Sequence, residues 1–185
     1  MKKADIFPMP DYYDRYIQLV DDLTLNVAFD KYFTQIQNLN QDVLNELDGR
    51  TYAPEKWTIK EILQHLIDWE RIFSYRAIIF ARKENNIPPG HDENILAANS
   101  KANQRDLEEI IDDYLFARRN TQSLYNSFDQ ADLTAVGKSL NYEMPVLALG
   151  FIILGHQIHH FNIIRERYLP LTSRHQPLIL GKNGY

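Results

Sequence analysis

Hydrophobic positions recur along the chain at three- and four-residue steps, which is the period of an amphipathic helix. The first such pattern begins at Ala28 and stops at "DGR", where Gly49 suits the left-handed end of a helix. We therefore predict helix one over this stretch. Its apolar positions are Ala28, Tyr32, Ile36, Leu39, Val43 and Leu47.

The second pattern opens with a complete helix-start signal in "KWTIKEIL". Thr58 can cap the helix, and Glu61 three residues later can complete the capping box. Trp57 can pack onto Ile62 as a hydrophobic staple. Helix two is predicted through "EILQHLIDWERIFSYRAIIFARK", and it ends before "ENNIPPG", because the two prolines cannot continue a helix.

Two further helices follow in the second half of the chain. Helix three is predicted from the apolar positions between Leu107 and Phe128. Helix four begins near Pro145, since proline is favoured in a first turn, and ends at Tyr168 before Pro170. The N-terminal "YYDRYIQLVDD" indicates a short additional helix, and no alternating strand segment of comparable strength is present.

Four long helices predict an all-α four-helix bundle. Helices one and two are joined by about ten residues, which favours antiparallel neighbours. The segment from Glu84 to Ala102 is long enough to run back along a helix, so we predict a long crossover between helices two and three. The resulting topology is up-down-down-up, in which helices two and four are antiparallel.

Three histidines are predicted to converge inside this bundle. His156 and His160 are four residues apart on an apolar face of helix four, and His65 lies on the apolar stripe of helix two. His65 lies roughly 10 Å from the start of its helix and His160 roughly 12 Å from the end of its own, so both fall at one level of an antiparallel pair. His159 shares its face with small and polar residues, and we expect it to face solvent or a partner.

The crowding of these imidazoles points to a metal. A buried neutral imidazole needs hydrogen-bond partners, so several together are costly unless something binds them. Three histidines with open coordination positions suit a catalytic divalent metal, with Zn²⁺ or Ni²⁺ favoured. The alternative is that each histidine is a hydrogen-bonded core residue with a structural role.

Other charged residues near the motifs have weaker functional interpretations. Asp68 and Glu70 could orient a histidine, although a solvated helix face is the favoured alternative. Asp92 and Glu93 could line the mouth of a pocket, or simply belong to a polar loop. Three arginines of helix two could grip an anionic substrate, but bundle or interface ion pairs are favoured. They are Arg71, Arg76 and Arg82. His91 and His175 fall in loops without a partner pattern.

Composition narrows the possible partners and location. The chain has 185 residues, and 20 Lys and Arg against 25 Asp and Glu give a net charge of -5. Without a basic block we expect no nucleic-acid partner and no membrane partner. The absence of cysteine excludes a cysteine nucleophile and thiolate ligands. We expect one domain over residues 1–185, with a bundle core of about 12–169 and an irregular tail at 170–185, located in the cytoplasm by default.

The order of these motifs resembles the DinB/YfiT-like superfamily. The resemblance rests on "KWTIKEILQHLIDWERIFSYRAIIFARK", "PPGHDEN" and "GHQIHHFNIIRERYL". It implies an up-down-down-up four-helix bundle, often a homodimer, with His65, His156 and His160 as the metal ligands. In the subgroup most similar to this sequence, a carboxylate often follows the first histidine of the pair. Here that residue is Gln157, so the resemblance does not supply a general base at this position.

Two classes of function follow. The first is a metal-dependent enzyme with a small-molecule substrate, either a hydrolase or a transferase for a low-molecular-weight thiol such as bacillithiol or mycothiol, as the resemblance implies. A three-histidine site lowers the pKa of bound water toward about 7, or stabilises a thiolate, so that either becomes a nucleophile. The second class is a noncatalytic, stress-linked binding or scaffold bundle with structural histidines. The sequence identifies no catalytic residue beyond the metal ligands.

Overall fold

The computed structural model describes residues 1–173 and 176–181, most of which are helical. In chain order the main elements are α1 (Asp14–Ile17), α2 (Leu25–Gln37), α3 (Gln41–Glu46), α4 (Ile59–Ala81), α5 (Glu93–Asn99), α6 (Leu107–Asn126), α7 (Gln130–Thr134), β1 (Val136–Ser139), β2 (Tyr142–Pro145) and α8 (Val146–Ile163). Helix α8 continues into a π-helical segment, Ile164–Tyr168. The long helices α2, α4, α6 and α8 pack against one another.

The predicted starts of the last three long helices are confirmed. Thr58 caps α4 within a complete capping box, α6 begins at Leu107, and α8 begins directly after Pro145. The start of α4 depends on a capping box and that of α8 follows Pro145, both local signals, whereas α6 was predicted from its apolar period. The predicted short N-terminal helix is also present, as α1.

The prediction of one continuous helix from Ala28 to Leu47 is wrong. Helix α2 ends at Gln37, and α3 begins after Asn40, whose side chain accepts a hydrogen bond from the backbone N–H of Val43. Asn40 is also held from a distance, because its backbone N–H donates to the carbonyl of Leu178 and its side-chain amide to that of Pro177. A capping asparagine with long-range partners therefore outcompetes the helical period.

A two-stranded hairpin, β1 and β2, precedes α8 and was not predicted from the sequence. The strands pair antiparallel, and Gly137 lies against the ring of Phe80, where a β-carbon would approach a ring atom to 2.0 Å. Each strand has only four residues, the lower limit of a recognisable strand pattern, so no strong alternating run marks the hairpin in the sequence. The hairpin packs on α4 and carries the chain into α8.

The crossover and the tail carry short elements of their own. The segment from Glu84 to Ala102 contains α5, whose first turn is capped by Asp92. A 3-10 turn, Leu169–Leu171, follows the fourth long helix, and Ile179 forms a single bridge with Leu39. The predicted irregular tail falls partly on residues 174–175 and 182–185, which lie outside the described residues, as does His175.

The core consists of two hydrophobic clusters along the bundle. On α8 the first cluster extends to Leu154 and the second begins at Phe161, so His156 and His160 lie between them. The segment Val146–Leu171 is long and apolar enough to cross a membrane by length and composition, but 78% of its most apolar window is buried inside the protein. Burial of this kind is what the central helix of a bundle requires, because all of its faces meet other elements.

Candidate metal centre

The start of α4 sets the position of the first histidine. Oγ1 of Thr58 accepts from the backbone N–H of Glu61 at 3.2 Å, and Oε2 of Glu61 accepts from the backbone N–H of Thr58 at 2.7 Å. Because this reciprocal cap fixes the first turn, the helical period then determines that His65, seven residues later, points inward. His65 is buried.

The three predicted histidines meet at one point in the interior. Nε2 of His65 lies 3.0 Å from Nε2 of His156, and Nε2 of His160 lies 3.1 Å from that same atom. The ligand atoms of all three residues lie within 4.8 Å of one another, and all three side chains are buried. The expected convergence of helices two and four at this level is therefore present.

The donor set fits a divalent metal. In a neutral imidazole each nitrogen is either a donor or an acceptor with one in-plane lone pair, so Nε2 of His156 cannot satisfy both neighbours by hydrogen bonding. A shared cation removes this conflict, because every nitrogen then directs its lone pair at the same point. Metal–nitrogen bonds of about 2.0–2.1 Å in a tetrahedral site place ligand nitrogens about 3.3 Å apart, close to the two short distances seen here.

Burial keeps these imidazoles neutral. It lowers the pKa of His65 to about 3, with a smaller contribution from the charge of His159. Burial also lowers the pKa of His156 and of His160 well below the ordinary value, and the neighbouring imidazoles lower both further. Neutral imidazole is the form that binds a metal, so the site does not have to lose protons near pH 7 before it can bind one.

Aromatic rings enclose the histidines. The ring of Trp57 lies 4.6 Å from that of His65, and the ring of Trp69 lies 6.2 Å from it on another side. Tyr16 of α1 places its ring 5.4 Å from that of His156. Trp57 was predicted as a hydrophobic staple, and the place of Trp57 and Trp69 in the wall of the site was not predicted from the sequence. For Trp69 the available signal was its four-residue spacing from His65 within α4, whereas Trp57 lies before that helix.

Two neighbours of the cluster on α8 have other roles. His159 is half-buried and lies against the ring of Tyr16, so it is less open to solvent than predicted. Gln157 is fully buried, and its Nε2 donates to the backbone carbonyl of Tyr32 at 3.1 Å. A side chain used in this way does not replace the carboxylate that the resemblance would place there.

The favoured solvent-face interpretation of Glu70 is wrong. Glu70 is buried and forms a bidentate ion pair with Arg118 of α6, with distances of 2.7 and 3.1 Å. A carboxylate at the centre of a helix pair is stable there because a guanidinium neutralises it. Asp68 accepts instead from Gln64 on its own helix.

The three arginines of helix two have different environments. Arg71 forms the predicted kind of ion pair, with Asp113 of α6 at 2.5 Å. Arg76 is buried, donates to the carbonyl of Pro89 and lies over the rings of Trp69 and Phe73.

Arg82 lies over the ring of Phe128. In the crossover, Asp92 caps α5 by accepting from the backbone N–H groups of Asn94 and Ile95. His91, expected to lack a partner, lies 6.4 Å from the ring of Trp69. None of these residues belongs to the histidine cluster.

Fold and site together define the class of protein. It is a helical bundle with a buried three-histidine cluster of the kind that holds a divalent metal. The sequence model of the DinB superfamily matches residues 12–164, and the chain belongs to the DinB superfamily. None of the curated proteins matches this chain.

A solved structure is also similar. YfiT from Bacillus subtilis superposes with a TM-score of 0.57 at 16% identity, over 83% of this chain and 86% of that one. YfiT is described as a probable metal-dependent hydrolase with an unusual four-helix bundle topology. At this identity the similarity establishes the four-helix bundle fold.

Proposed function

We propose that the chain binds one divalent metal ion, Zn²⁺ or Ni²⁺, through His65, His156 and His160 and acts on a small-molecule substrate. One observation carries the proposal: the buried Nε2 of His156 lies within hydrogen-bonding distance of Nε2 of both His65 and His160, and no arrangement of protons satisfies both contacts. With three protein ligands, coordination positions stay open for a substrate.

The metal would supply Lewis acidity and a nucleophile at neutral pH. The chain's own residues prepare the site for this chemistry. The three imidazoles are held neutral by burial, and the rings of Trp57 and Trp69 exclude water and so strengthen local electrostatic interactions. Gln157 is engaged with Tyr32, so we assign no general base to it.

Hydrolysis and thiol S-transfer are the two reactions we propose. The description of YfiT as a probable hydrolase supports the first. The second is supported by the affinity of such a metal for thiolates, which here would have to come from a bound low-molecular-weight thiol because the chain has no cysteine. The noncatalytic binding or scaffold bundle is the competing function.

Metal analysis of purified protein tests the proposal first. We expect about one metal ion per chain in the wild type and loss of most of it in His160→Ala, because three-ligand sites do not tolerate removal of one ligand. His159→Ala, one residue away and outside the cluster, is the matched control and should retain the metal. Equal metal content in both variants would refute the assignment.

A turnover assay then separates the enzyme from the scaffold. Metal-loaded protein is incubated with ester and amide substrates, and separately with an electrophile and a panel of thiols. Faster consumption by wild type than by His65→Ala supports an enzyme, and thiol dependence distinguishes transfer from hydrolysis. If neither reaction depends on His65, the binding or scaffold function is the better account.

We also infer the up-down-down-up order of the long helices. Pair contacts between α4 and α6 support a parallel arrangement, because Glu70 meets Arg118 and, further along both helices, Ser74 meets Thr121. Contacts between α2 and α6 support an antiparallel one, since Asp30 accepts from Gln122 while the ring of Phe33 lies beneath the guanidinium of Arg119.

Partners and location remain expectations. We expect a homodimer in the cytoplasm, with a small-molecule substrate and with no nucleic-acid or membrane partner. The net charge of -5 supports the absence of nucleic acid, because binding a phosphate backbone needs clustered positive charge. Size-exclusion chromatography with light scattering tests the dimer.

A further inference from the structure

A pocket of about 210 Å³ lies beside the metal centre. His160 lines it, and so do two segments that flank the centre, the turn before α4 and the end of the fourth long helix. We call it the Trp57 pocket, and its inner walls are Tyr52, Trp57, Ile62, Ile163 and Tyr168. The ring of Trp57 also stacks on that of His160 at 6.3 Å and 22°, and His160 belongs to both the pocket and the centre.

The inner walls carry no charged side chain and are mainly apolar. Three of them are aromatic and two are aliphatic, and the hydroxyl of Tyr168 already donates to the backbone carbonyl of Trp57. At the rim, exposed Asn94 is uncharged, and exposed Glu55 and Lys56 carry opposite charges, so their fields largely cancel at a distance. The pocket therefore selects for an uncharged, apolar group.

The volume limits what this group can be. An apolar cavity of about 150 Å³ holds a benzene molecule, so the Trp57 pocket has room for one six-membered ring or a chain of about six carbons. Larger groups would have to displace wall residues. Trp57 and Ile163 both line the pocket, and both are only half-buried.

We propose that the Trp57 pocket receives the acyl or aryl group of a neutral substrate, and that Ile163 limits the length of that group. The inference rests on the proposed metal function and adds to it the class of substrate: a small neutral molecule whose reactive group meets the metal while its apolar group fills the pocket. His160, whose Nδ1 has no hydrogen-bond partner among the described residues, lies where the two parts join.

Binding of alkyl hydroxamates to Co²⁺-loaded protein tests this without turnover. The hydroxamate reports on the metal through the visible spectrum, while its chain, from acetyl to octanoyl, reports on the pocket. For the wild type we expect affinity to rise about fourfold per methylene up to roughly six carbons and then to level off.

Two substitutions at one position move this limit in opposite directions. Ile163→Trp fills the pocket, and we expect it to weaken hexanohydroxamate roughly tenfold while changing acetohydroxamate less than about twofold. Ile163→Ala enlarges the pocket and should shift the plateau to octanohydroxamate. Ile158→Trp is the matched control, since Ile158 is also half-buried on α8 but lines a different groove, and it should leave the series unchanged.

A metal-free titration separates this inference from the proposed function. If no hydroxamate perturbs the Co²⁺ spectrum, the proposal of an open metal site is wrong. The pocket is then tested separately, by comparing the affinities of the apoprotein for 1-hexanol and for ethanol through its tryptophan fluorescence. Hexanol binding that is lost in Ile163→Trp supports the pocket. The pocket proposal is overturned if hydroxamate affinity does not depend on chain length. It is also overturned if Ile163→Trp and Ile158→Trp bind hexanol equally well.

Discussion

Gly155 permits the closest approach between α8 and the N-terminal segment. A β-carbon at this position would lie 2.0 Å from the carbonyl oxygen of Tyr16, and that obstacle is backbone rather than a flexible side chain. We therefore predict that Gly155→Ala destabilises the protein by about 1–3 kcal/mol, as overpacking of a well-packed core does. Urea denaturation at pH 7.5 measures this change.

The same variant has a local consequence and a clean control. Because Tyr16 contacts the rings of His156 and His159, its displacement should alter the environment of both imidazoles, which side-chain NMR of the apoprotein would detect. Gly181→Ala introduces the same methyl group into open space and should change stability by less than about 0.5 kcal/mol. Equal stabilities of the two variants would contradict the close packing.

Single residues of the site were largely predictable from the sequence, because helical periodicity is a local property. The spacing of His156 and His160, and the capping box ahead of His65, suffice to place all three inward. The role of Gln157 was not predictable, since its partner is a carbonyl of α2, more than a hundred residues away. Periodicity gives the direction of a side chain and does not give what it meets.

At the scale of elements, the pairing of α4 with α6 depends on a buried ion pair. Glu70 and Arg118 are both almost fully buried and form two hydrogen bonds. We predict that Glu70→Gln destabilises the protein by about 3–5 kcal/mol, because the guanidinium of Arg118 remains in the interior without a counter-charge. Chemical denaturation of the variant and the wild type at pH 7 measures the difference.

Two comparisons make this prediction specific to burial. The double variant Glu70→Leu with Arg118→Met should be more stable than Glu70→Gln, since apolar side chains of similar size avoid the desolvation of both charges. Asp21→Asn removes an exposed pair with Lys31 and should cost less than about 1 kcal/mol. If Glu70→Gln costs no more than Asp21→Asn, then Arg118 is not held by this carboxylate.

The ends of helices were predicted correctly from the sequence where nearby residues determine them. The starts of α4 and α8 depend on residues within one turn, and each was predicted. Helix one was predicted as continuous because its break depends on Asn40, whose partners are in the C-terminal segment. The hairpin was missed for a similar reason, since Gly137 is explained by the ring of Phe80 and by nothing nearby in sequence.

At the scale of the whole molecule, the histidines occupy a polar layer between two hydrophobic clusters. Neither cluster gains from this layer, because buried imidazoles replace apolar contacts that would otherwise join them. A site of this kind is retained at a cost in stability, as is usual for functional groups in a core. Without metal, the layer should therefore be where the bundle responds most strongly to pH.

The metal-free protein should lose stability as the pH falls below about 6.5, the ordinary pKa of histidine in the unfolded chain. In the folded protein the pKa of His65 is about 3, and the pKa values of His156 and His160 are also well below 6.5. Between these limits only the unfolded chain binds the protons, so acid favours unfolding. Each histidine contributes up to about 1.4 kcal/mol per pH unit, and this stability is fully present above pH 6.5.

Urea denaturation in the presence of a chelator, at several pH values between 7.5 and 5, measures the slope before most carboxylates titrate. His65→Gln should reduce this slope by about one third, because a glutamine takes up no proton in either state while His156 and His160 still contribute. His91→Gln, at an exposed position outside the cluster, should keep the slope of the wild type. Excess Zn²⁺ should raise the free energy of unfolding by about 2.7 kcal/mol at a hundred times its dissociation constant. A free energy of unfolding that does not change with pH would mean that the three imidazoles take up protons as readily in the folded protein as in the unfolded chain. The buried, neutral metal site proposed for this bundle would then be wrong.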